Sequence, residues 1–193
     1  MRDRIDPYFD TLSRLIRRAE CTDGAGQPVE LAVAFERTRD YARATVASGN
    51  KIMFVGNGGS AGIASHLAAD FSKAGRMPAM AFNDGAALTC LSNDLGYENV
   101  FSEQIKWHGR DGDVVIAISS SGKSPNIIRA AETAKAKGCS LVTFSGFGAD
   151  NPLRPMGDVN LFVNSHAYGF VEVAHMALCH AILDLELGWS VKS

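Results

Sequence analysis

From residue 51 onward, short and almost continuous apolar runs alternate with longer segments of helical periodicity. The runs span residues 52–55, 79–82, 114–118, 141–144 and 159–163. Runs of this kind, without polar alternation, are typical of strands that are covered on both faces. Helical patterns between successive strands indicate crossover connections, and therefore a parallel sheet with helices on both sides. The sequence thus predicts an α/β fold, a three-layer α/β/α sandwich around a five-stranded parallel sheet.

The first 50 residues predict two helices ahead of this sheet. An apolar stripe recurs at helical spacing from Ile5 to Ile16, and a second helix is predicted over residues 29–48, after a break that contains glycine and proline. The first helix has no strand of its own to cover, so we expect its apolar side to pack on a neighbouring subunit. We assign residues 1–50 to oligomerisation and residues 51–193 to ligand binding, within a single domain overall.

The charge balance disfavours several kinds of partner. The 193-residue chain carries 19 basic and 21 acidic residues, so it lacks the surplus of cations with which proteins bind nucleic acid or anionic membranes. No uninterrupted apolar run approaches the roughly 20 residues that span a bilayer, and the charged N-terminus does not resemble a signal peptide. The cysteines form no CxxC pair. We therefore expect a cytoplasmic protein with no nucleic-acid or membrane partner.

One loop after a predicted strand is rich in serine, and open parallel sheets bind ligands at such loops. Residues 119–125, which we call the serine loop, read Ser-Ser-Ser-Gly-Lys-Ser-Pro and end where a predicted helix begins. Serine hydroxyls donate to phosphate oxygens, and the free N–H groups of a helix N-terminus favour an anion. The segment matches neither GxxxxGK[ST] nor GxGxxG, so we expect a sugar phosphate and no nucleotide cofactor. The alternative is a serine-rich turn in which Ser124 caps the helix.

A second loop, residues 56–60, reads Gly-Asn-Gly-Gly-Ser and also joins a strand to a helix. Taken alone, this pattern indicates only a tight turn. Together with the serine loop it predicts a pocket between two strand ends, in which Asn57 and Ser60 hold sugar hydroxyls.

Two predicted helices carry imidazoles and carboxylates. His66 and Asp70 share one helix face, and Glu172, His175 and His180 lie on the last helix. Two imidazoles and two carboxylates suit zinc or another divalent ion, which makes His66, Asp70, Glu172 and His180 candidate ligands. One objection is geometric, because residues 172 and 180 are separated by about 12 Å of helix rise. For His175 we expect a buried core residue.

Taken together, these residues resemble the sugar isomerase (SIS) domain family, and within it the phosphoheptose isomerases. The similarity spans almost the whole chain and rests on residues 56–61, His66-x3-Asp70, Asn93-Asp94-x-Gly96-Tyr97, residues 112–114, residues 118–126 and Glu172-x2-His175-x4-His180. The resemblance implies a flavodoxin-like five-stranded parallel sheet flanked by helices. It also implies a homotetramer with active sites at subunit interfaces.

The resemblance further implies a site in this chain. The matching substrate-binding positions are Asn57, Gly58, Gly59, Ser60, Asp94, Ser119, Ser120, Ser121, Ser124 and Glu172. Among these, the serines of the serine loop would hold the phosphate, and Asp94 would bind sugar hydroxyls. The matching metal positions, implied to hold one zinc ion per subunit, are His66, Asp70, Glu172 and His180. Asp70 and His180 match the family's positions for proton transfer.

Three departures from the family pattern concern this site. Asp70 stands where the family has glutamate, so its carboxylate sits back by about 1.5 Å. Glu172 stands where the family has glutamine, which adds a negative charge. Ala74 occupies the position of an expected arginine, and residues 165–169 do not match the family's acidic and arginine residues.

We therefore predict an isomerase that converts sedoheptulose 7-phosphate to D-glycero-D-manno-heptose 7-phosphate through a cis-enediol. In the resembling enzymes this reaction leads to heptose for lipopolysaccharide. One alternative is a non-catalytic sugar-phosphate sensor or protein-binding member, like the bacterial replication-initiation regulator of this fold. The altered Asp70 favours that alternative, whereas the retained His66 and His180 disfavour it. A second alternative is an isomerase of different specificity that uses no metal.

Overall fold

The structure, a computed structural model, describes residues 2–190. The described helices are α1 (Arg2–Arg17), α2 (Leu31–Ala47), α3 (Gly59–Lys73), α4 (Gly85–Leu95), α5 (Val100–His108), α6 (Pro125–Ala136) and α7 (Tyr168–Glu186). The described strands are β1 (Glu20–Asp23), β2 (Pro28–Val29), β3 (Ile52–Gly56), β4 (Ala79–Ala81), β5 (Val114–Ser119), β6 (Ser140–Gly146) and β7 (Val159–Val163). A short 3-10 helix, Tyr97–Asn99, joins α4 to α5. Residue 1, where the predicted segment 1–50 begins, and residue 193, where the predicted segment 51–193 ends, lie outside the described residues.

All the described strands belong to one sheet with the order β2-β1-β7-β6-β5-β3-β4. Five strands, from β7 to β4 in that order, pair in parallel, whereas β1 pairs antiparallel with both β2 and β7. The predicted α/β fold with a parallel sheet is confirmed. The predicted total of five strands is wrong, because a β1–β2 hairpin extends the sheet to seven strands at its β7 edge.

This hairpin forms in the segment that the sequence pattern marks only as a break. The Asp23 carboxylate accepts hydrogen bonds from the N–H groups of Ala25 and Gln27, both at 3.0 Å. Gly26 between them has a φ of 75°, a conformation that glycine adopts without steric cost. Strand β1 buries only Cys21, so it shows no hydrophobic period. Its conformation is decided by pairing with β7, which sequence periodicity does not reveal.

The central strands supply two cores, one on each face of the sheet. In β3, Ile52 and Phe54 point into the core that is completed by α2, α3 and α7, while Met53 and Val55 point into the core of α4, α5 and α6. All four side chains are fully buried. This arrangement explains why the strand sequences are continuously apolar, since both faces are covered.

Helix α7 is long and apolar enough, by length and composition, to cross a membrane. Its side chains Ala174, Leu178 and Ile182 are nevertheless buried in the core against the sheet. A buried helix of a soluble protein has the same composition. The apolar character of α7 is therefore explained by packing, and a soluble protein is consistent with it.

The two N-terminal helices pack to different degrees. Phe35 of α2 lies in the same core as α7, so α2 belongs to the body of the domain. Ile16 of α1 packs against that core, whereas Ile5 is 46% and Phe9 60% exposed. The C-terminal half of α1 thus covers its own subunit. Only the N-terminal half presents an apolar surface that a neighbouring subunit can cover.

Candidate active site

A cavity lies at the carboxyl ends of β3 and β5, where the two loops meet. It is lined by Asn57, Ser60, Ser119, Ser120, Ser121, Ser124, Tyr168 and Glu172. Seven of these eight lining residues are predicted substrate-binding residues, and the eighth is Tyr168. The structure thus brings those seven together. Neighbouring parallel strands end at the same edge of a sheet, which is why loops 60 residues apart in sequence meet here.

The serine loop is held in a tight turn by Gly122. Its N–H group donates to the carbonyl oxygen and to Oγ of Ser119, both at 3.1 Å. Gly122 has a φ of 61°, and a Cβ at this position would overlap the side chain of Asn151. The turn therefore requires glycine for two separate reasons, its left-handed backbone and the close approach of Asn151.

The serine loop ends where α6 begins. Ser124 is the residue before the helix, but its side chain makes no capping hydrogen bond. Ser124 thus occupies the N-cap position, as the helix-cap alternative requires, but it does not cap the helix through its side chain, and the residue lines the cavity. Among the described residues that line the cavity there is no lysine or arginine. An anion in the cavity would be bound by neutral donors and by the positive end of the α6 dipole.

Asn57 in the first loop is held by two residues for which the sequence predicts no role. Its Nδ2 donates to Oδ1 of Asn126 at 2.9 Å, and Nδ2 of Asn126 donates back to Oδ1 of Asn57 at 2.9 Å. The hydroxyl of Tyr97 donates to the same Oδ1 at 2.9 Å. Both residues belong to segments that carry the family resemblance, but only the tertiary structure brings them to Asn57.

Glu172 faces the start of α3. Gly58 precedes that helix with a φ of 54°, and an added Cβ at Gly59 would lie 2.5 to 2.6 Å from the carboxylate atoms of Glu172. The Glu172 side chain therefore occupies the space that a larger residue at position 59 would fill. Glycine at position 59 leaves room for this carboxylate at the cavity wall.

Three of the four predicted metal ligands form a cluster away from the cavity wall. Nε2 of His66 lies 3.2 Å from Oδ2 of Asp70 and 3.2 Å from Nε2 of His180. Nδ1 of His180 lies 3.9 Å from the same Asp70 oxygen. The fourth predicted ligand, Glu172, is not part of this cluster, because eight residues of helix separate it from His180. The objection raised from the sequence, that about 12 Å of helix rise separates residues 172 and 180, therefore applies.

The donors of this cluster could hold a divalent metal ion, since one ligand atom from each residue lies within 4.8 Å of the others. Two ligands bound to a tetrahedral zinc ion at ordinary bond lengths lie about 3.3 Å apart, and the two imidazole nitrogens are 3.2 Å apart. Two imidazoles and one carboxylate leave a fourth position open, as catalytic zinc sites do. The side chain of His66 is 51% exposed and that of His180 33%, so the open position is accessible.

Gly58, Gly59 and Asp94 are the predicted substrate-binding residues that do not line the cavity. Gly58 and Gly59 lie beside Ser60 at the start of α3, whereas Asp94 lies on another helix. Asp94 lies on α4, where its carboxylate accepts hydrogen bonds from Nδ2 of Asn93 at 2.7 Å and from Sγ of Cys90 at 3.6 Å. It is exposed to solvent. Its predicted role in binding sugar hydroxyls stays a prediction.

Burial favours the neutral forms of His175 and of the buried thiols. His175 is fully buried, and burial lowers its pKa to about 4, although its Nε2 lies 3.0 Å from the Ser145 carbonyl oxygen. The expectation of a core histidine is confirmed. Burial also raises the pKa of Cys21 to about 12 and that of Cys139 to about 11. These thiols are therefore unreactive at neutral pH, as expected of apolar fillers.

Comparison with known proteins extends the similarity over nearly the whole chain. A sequence profile of the SIS domain matches residues 8–146. The phosphoheptose isomerase of Burkholderia pseudomallei is 38% identical over 162 residues, which are 80% of this chain and 81% of that protein. The phosphoheptose isomerase of Rhodospirillum rubrum is 34% identical over 192 residues, 96% of each protein. The solved structure of phosphoheptose isomerase from Neisseria gonorrhoeae superposes with a TM-score of 0.81 at 28% identity, covering 96% of this chain and 98% of that one.

Proposed function

Because the chain belongs to the SIS domain family, we propose that it is a phosphoheptose isomerase, which converts sedoheptulose 7-phosphate to D-glycero-D-manno-heptose 7-phosphate. The single observation that carries this proposal is the pairing of a serine-lined cavity with an acid–imidazole cluster on α3 and α7, the two helices that also bring Ser60 and Glu172 to the cavity. The cavity suits the phosphate, and the cluster suits proton transfer at the other end of the sugar.

The separation of these two features fits a seven-carbon substrate. Glu172 lies at the cavity and His180 in the cluster, eight residues apart along α7, which corresponds to about 12 Å. In an extended sedoheptulose 7-phosphate, eight bonds separate the phosphorus from carbon 1, and ordinary bond lengths and angles make that distance roughly 10 Å. The helix rise between the cavity residue Glu172 and His180 is therefore of the same order as the length of the extended substrate.

We propose that the serine loop holds the phosphate. Ser119, Ser121 and Ser124 line the cavity together with Ser120, and hydroxyls with backbone N–H groups satisfy phosphate oxygens without a cation. Glu172 lies at the same cavity, so its carboxylate is placed to accept hydrogen bonds from sugar hydroxyls. We assign Glu172 to substrate binding rather than to the metal, since its carboxylate lies beside Gly59.

We propose that Asp70 and His180 move the protons of the isomerisation. One of them removes a proton from carbon 1 of the open-chain ketose, which gives a cis-enediol between carbons 1 and 2. The proton is returned to carbon 2, and the other residue transfers the proton between the two oxygens, so the carbonyl moves from carbon 2 to carbon 1. Proton transfers of this kind require groups within hydrogen-bond reach of the reacting atoms.

We propose zinc as the ion that His66, Asp70 and His180 hold. When bound, zinc polarises the substrate carbonyl and so favours loss of the neighbouring proton.

We propose that the protein is a cytoplasmic homotetramer. The exposed side of this cluster and the apolar surface of Ile5 and Phe9 support assembly with further copies of the chain.

Turnover of sedoheptulose 7-phosphate by the purified protein tests the proposal. Asp70→Asn and His180→Gln are expected to abolish product formation, while Asp184→Asn, an exposed carboxylate one turn beyond His180, should leave it unchanged. Elemental analysis of protein purified without chelator tests zinc. An inactive wild-type protein, with and without added zinc, would refute the isomerase. Thermal stabilisation by sugar phosphates in such an inactive protein would instead indicate a sensor.

A further inference from the structure

We propose that Asn126 and Tyr97 are positioning residues that act through Asn57. They hold the Asn57 amide in place, so that its one unused N–H group can face the cavity and donate to an oxygen of the phosphorylated end of the ligand. This proposal takes the identity of the sugar from the proposed function. It does not depend on that function for the presence of a phosphate group in the ligand.

The hydrogen-bonding capacity of Asn57 is almost fully used within the protein. An asparagine amide offers two acceptor positions on Oδ1 and two donors on Nδ2. Oδ1 of Asn57 accepts from Asn126 and from Tyr97, each at 2.9 Å, and Nδ2 donates one hydrogen to Asn126 at 2.9 Å. One N–H of Asn57 is left over, and Asn57 lines the cavity.

The phosphate itself favours this orientation of the amide. The two asparagines would keep their reciprocal bonds if both amides turned over together. In that case Tyr97 would accept from Nδ2, and Asn57 would present its remaining acceptor position to the cavity. An amide oxygen that faces phosphate oxygens is repelled, whereas an N–H group makes a charge-assisted hydrogen bond. Asn126 and Tyr97 therefore hold the amide in place in either orientation, and the phosphate selects the one in which the remaining N–H group faces the cavity.

Both partners are anchored independently of Asn57. Asn126 is only 2% exposed and lies in the first turn of α6, directly after the serine loop. Tyr97 belongs to the short 3-10 helix, which Arg129 of α6 ties down by donating to Oδ1 of Asn99 at 2.6 Å and by lying 3.7 Å from the Glu98 carboxylate. The two loops of the cavity are therefore linked as one preorganised unit, which lowers the cost of ordering on binding.

The test compares variants by steady-state kinetics with sedoheptulose 7-phosphate and by calorimetric titration with inorganic phosphate. Tyr97→Phe removes one hydroxyl and is expected to raise KM and the phosphate Kd by about threefold, with kcat unchanged. Asn126→Ala and Asn57→Ala are each expected to raise both by about tenfold. Tyr41→Phe, on α2 and outside the cavity, is the matched control and should change neither.

The decisive measurement is the double variant Tyr97→Phe/Asn57→Ala. If Tyr97 acts through Asn57, the double variant matches Asn57→Ala alone, because the two effects are not additive. Additive effects, or a lower Tm with unchanged KM and Kd for Tyr97→Phe, would overturn the proposal. If the wild type binds phosphate but does not isomerise the sugar, the proposed function fails, and the Kd series alone decides the role of Asn126 and Tyr97. A wild type that neither binds phosphate nor isomerises the sugar would overturn both.

Discussion

Replacing Gly122 by alanine should destabilise the protein by far more than an ordinary glycine-to-alanine change. The φ of 61° at Gly122 costs an L-residue about 1 kcal/mol. The new methyl group would also overlap Asn151, which is 1% exposed. That side chain donates to the Gly148 carbonyl oxygen at 2.8 Å and accepts from the N–H of Arg154 at 3.0 Å. Displacing it loses two hydrogen bonds, each worth about 1 kcal/mol, so we expect a total loss of about 3 kcal/mol.

Thermal unfolding at matched protein concentration measures this loss. For a chain of this length, 3 kcal/mol corresponds to a Tm that is lower by about 10 °C. Gly26→Ala is the matched control, because Gly26 has a φ of 75° but no atom within 4 Å of an added Cβ. That variant isolates the backbone cost and should lower Tm by about 3 °C. Phosphate affinity should fall only in Gly122→Ala, since only this glycine shapes the serine loop.

Equal Tm changes in the two glycine variants would refute the reasoning. That result would mean that Asn151 yields to the new methyl group without losing its hydrogen bonds, and that only backbone strain is left. An unchanged phosphate Kd in Gly122→Ala would separately contradict the role of this turn in shaping the serine loop.

Three further predictions concern the cluster, the core and the N-terminal helix. Asp70→Glu advances the carboxylate by about 1.5 Å and is therefore expected to raise kcat for sedoheptulose 7-phosphate. A lower kcat in steady-state assays would contradict the inference that the Asp70 side chain is too short for efficient proton transfer. The His175 pKa is 6.5 unfolded and about 4 folded, so the unfolded state binds the proton first as pH falls. Stability should therefore drop between pH 6.5 and 4, by up to about 3 kcal/mol. Denaturant titrations of His175→Leu should lack this part of the drop, and an equal drop in both proteins would argue against it. Phe9→Asp should reduce the assembly size in light scattering, while Asp10→Asn should not; an unchanged mass would exclude this surface as an interface.

The sequence predicts the central sheet well because its signal is local. A strand such as β3, with Ile52 to Val55 all buried, is continuously apolar whichever neighbour it pairs with. The β1–β2 hairpin carries no such signal, since Cys21 alone is buried in β1. Pairing with the edge of β7 creates these strands, and edge pairing depends on residues 136 or more positions away in the chain.

The same distinction applies to the candidate site. Serine, glycine and proline in the serine loop indicate an anion site from sequence alone, because hydroxyls, a flexible backbone and a helix N-terminus are local properties. Helical spacing likewise predicts that His66 and Asp70 lie together, four residues apart. Spacing along one helix cannot say which residues of another helix they meet. Only the packing of α3 against α7 shows that His66 and Asp70 meet His180, while Glu172 meets Gly59.

The sequence by itself therefore determined the α/β architecture, the serine loop and the pairing of an imidazole with a carboxylate, since each depends on residues that are close in the chain. The tertiary structure decided the sixth and seventh strands, the position of Glu172 at the cavity, and the hold of Asn126 and Tyr97 on Asn57. These features depend on contacts between segments tens of residues apart, and such contacts are selected by packing and hydrogen-bond satisfaction across the whole domain rather than by local sequence pattern.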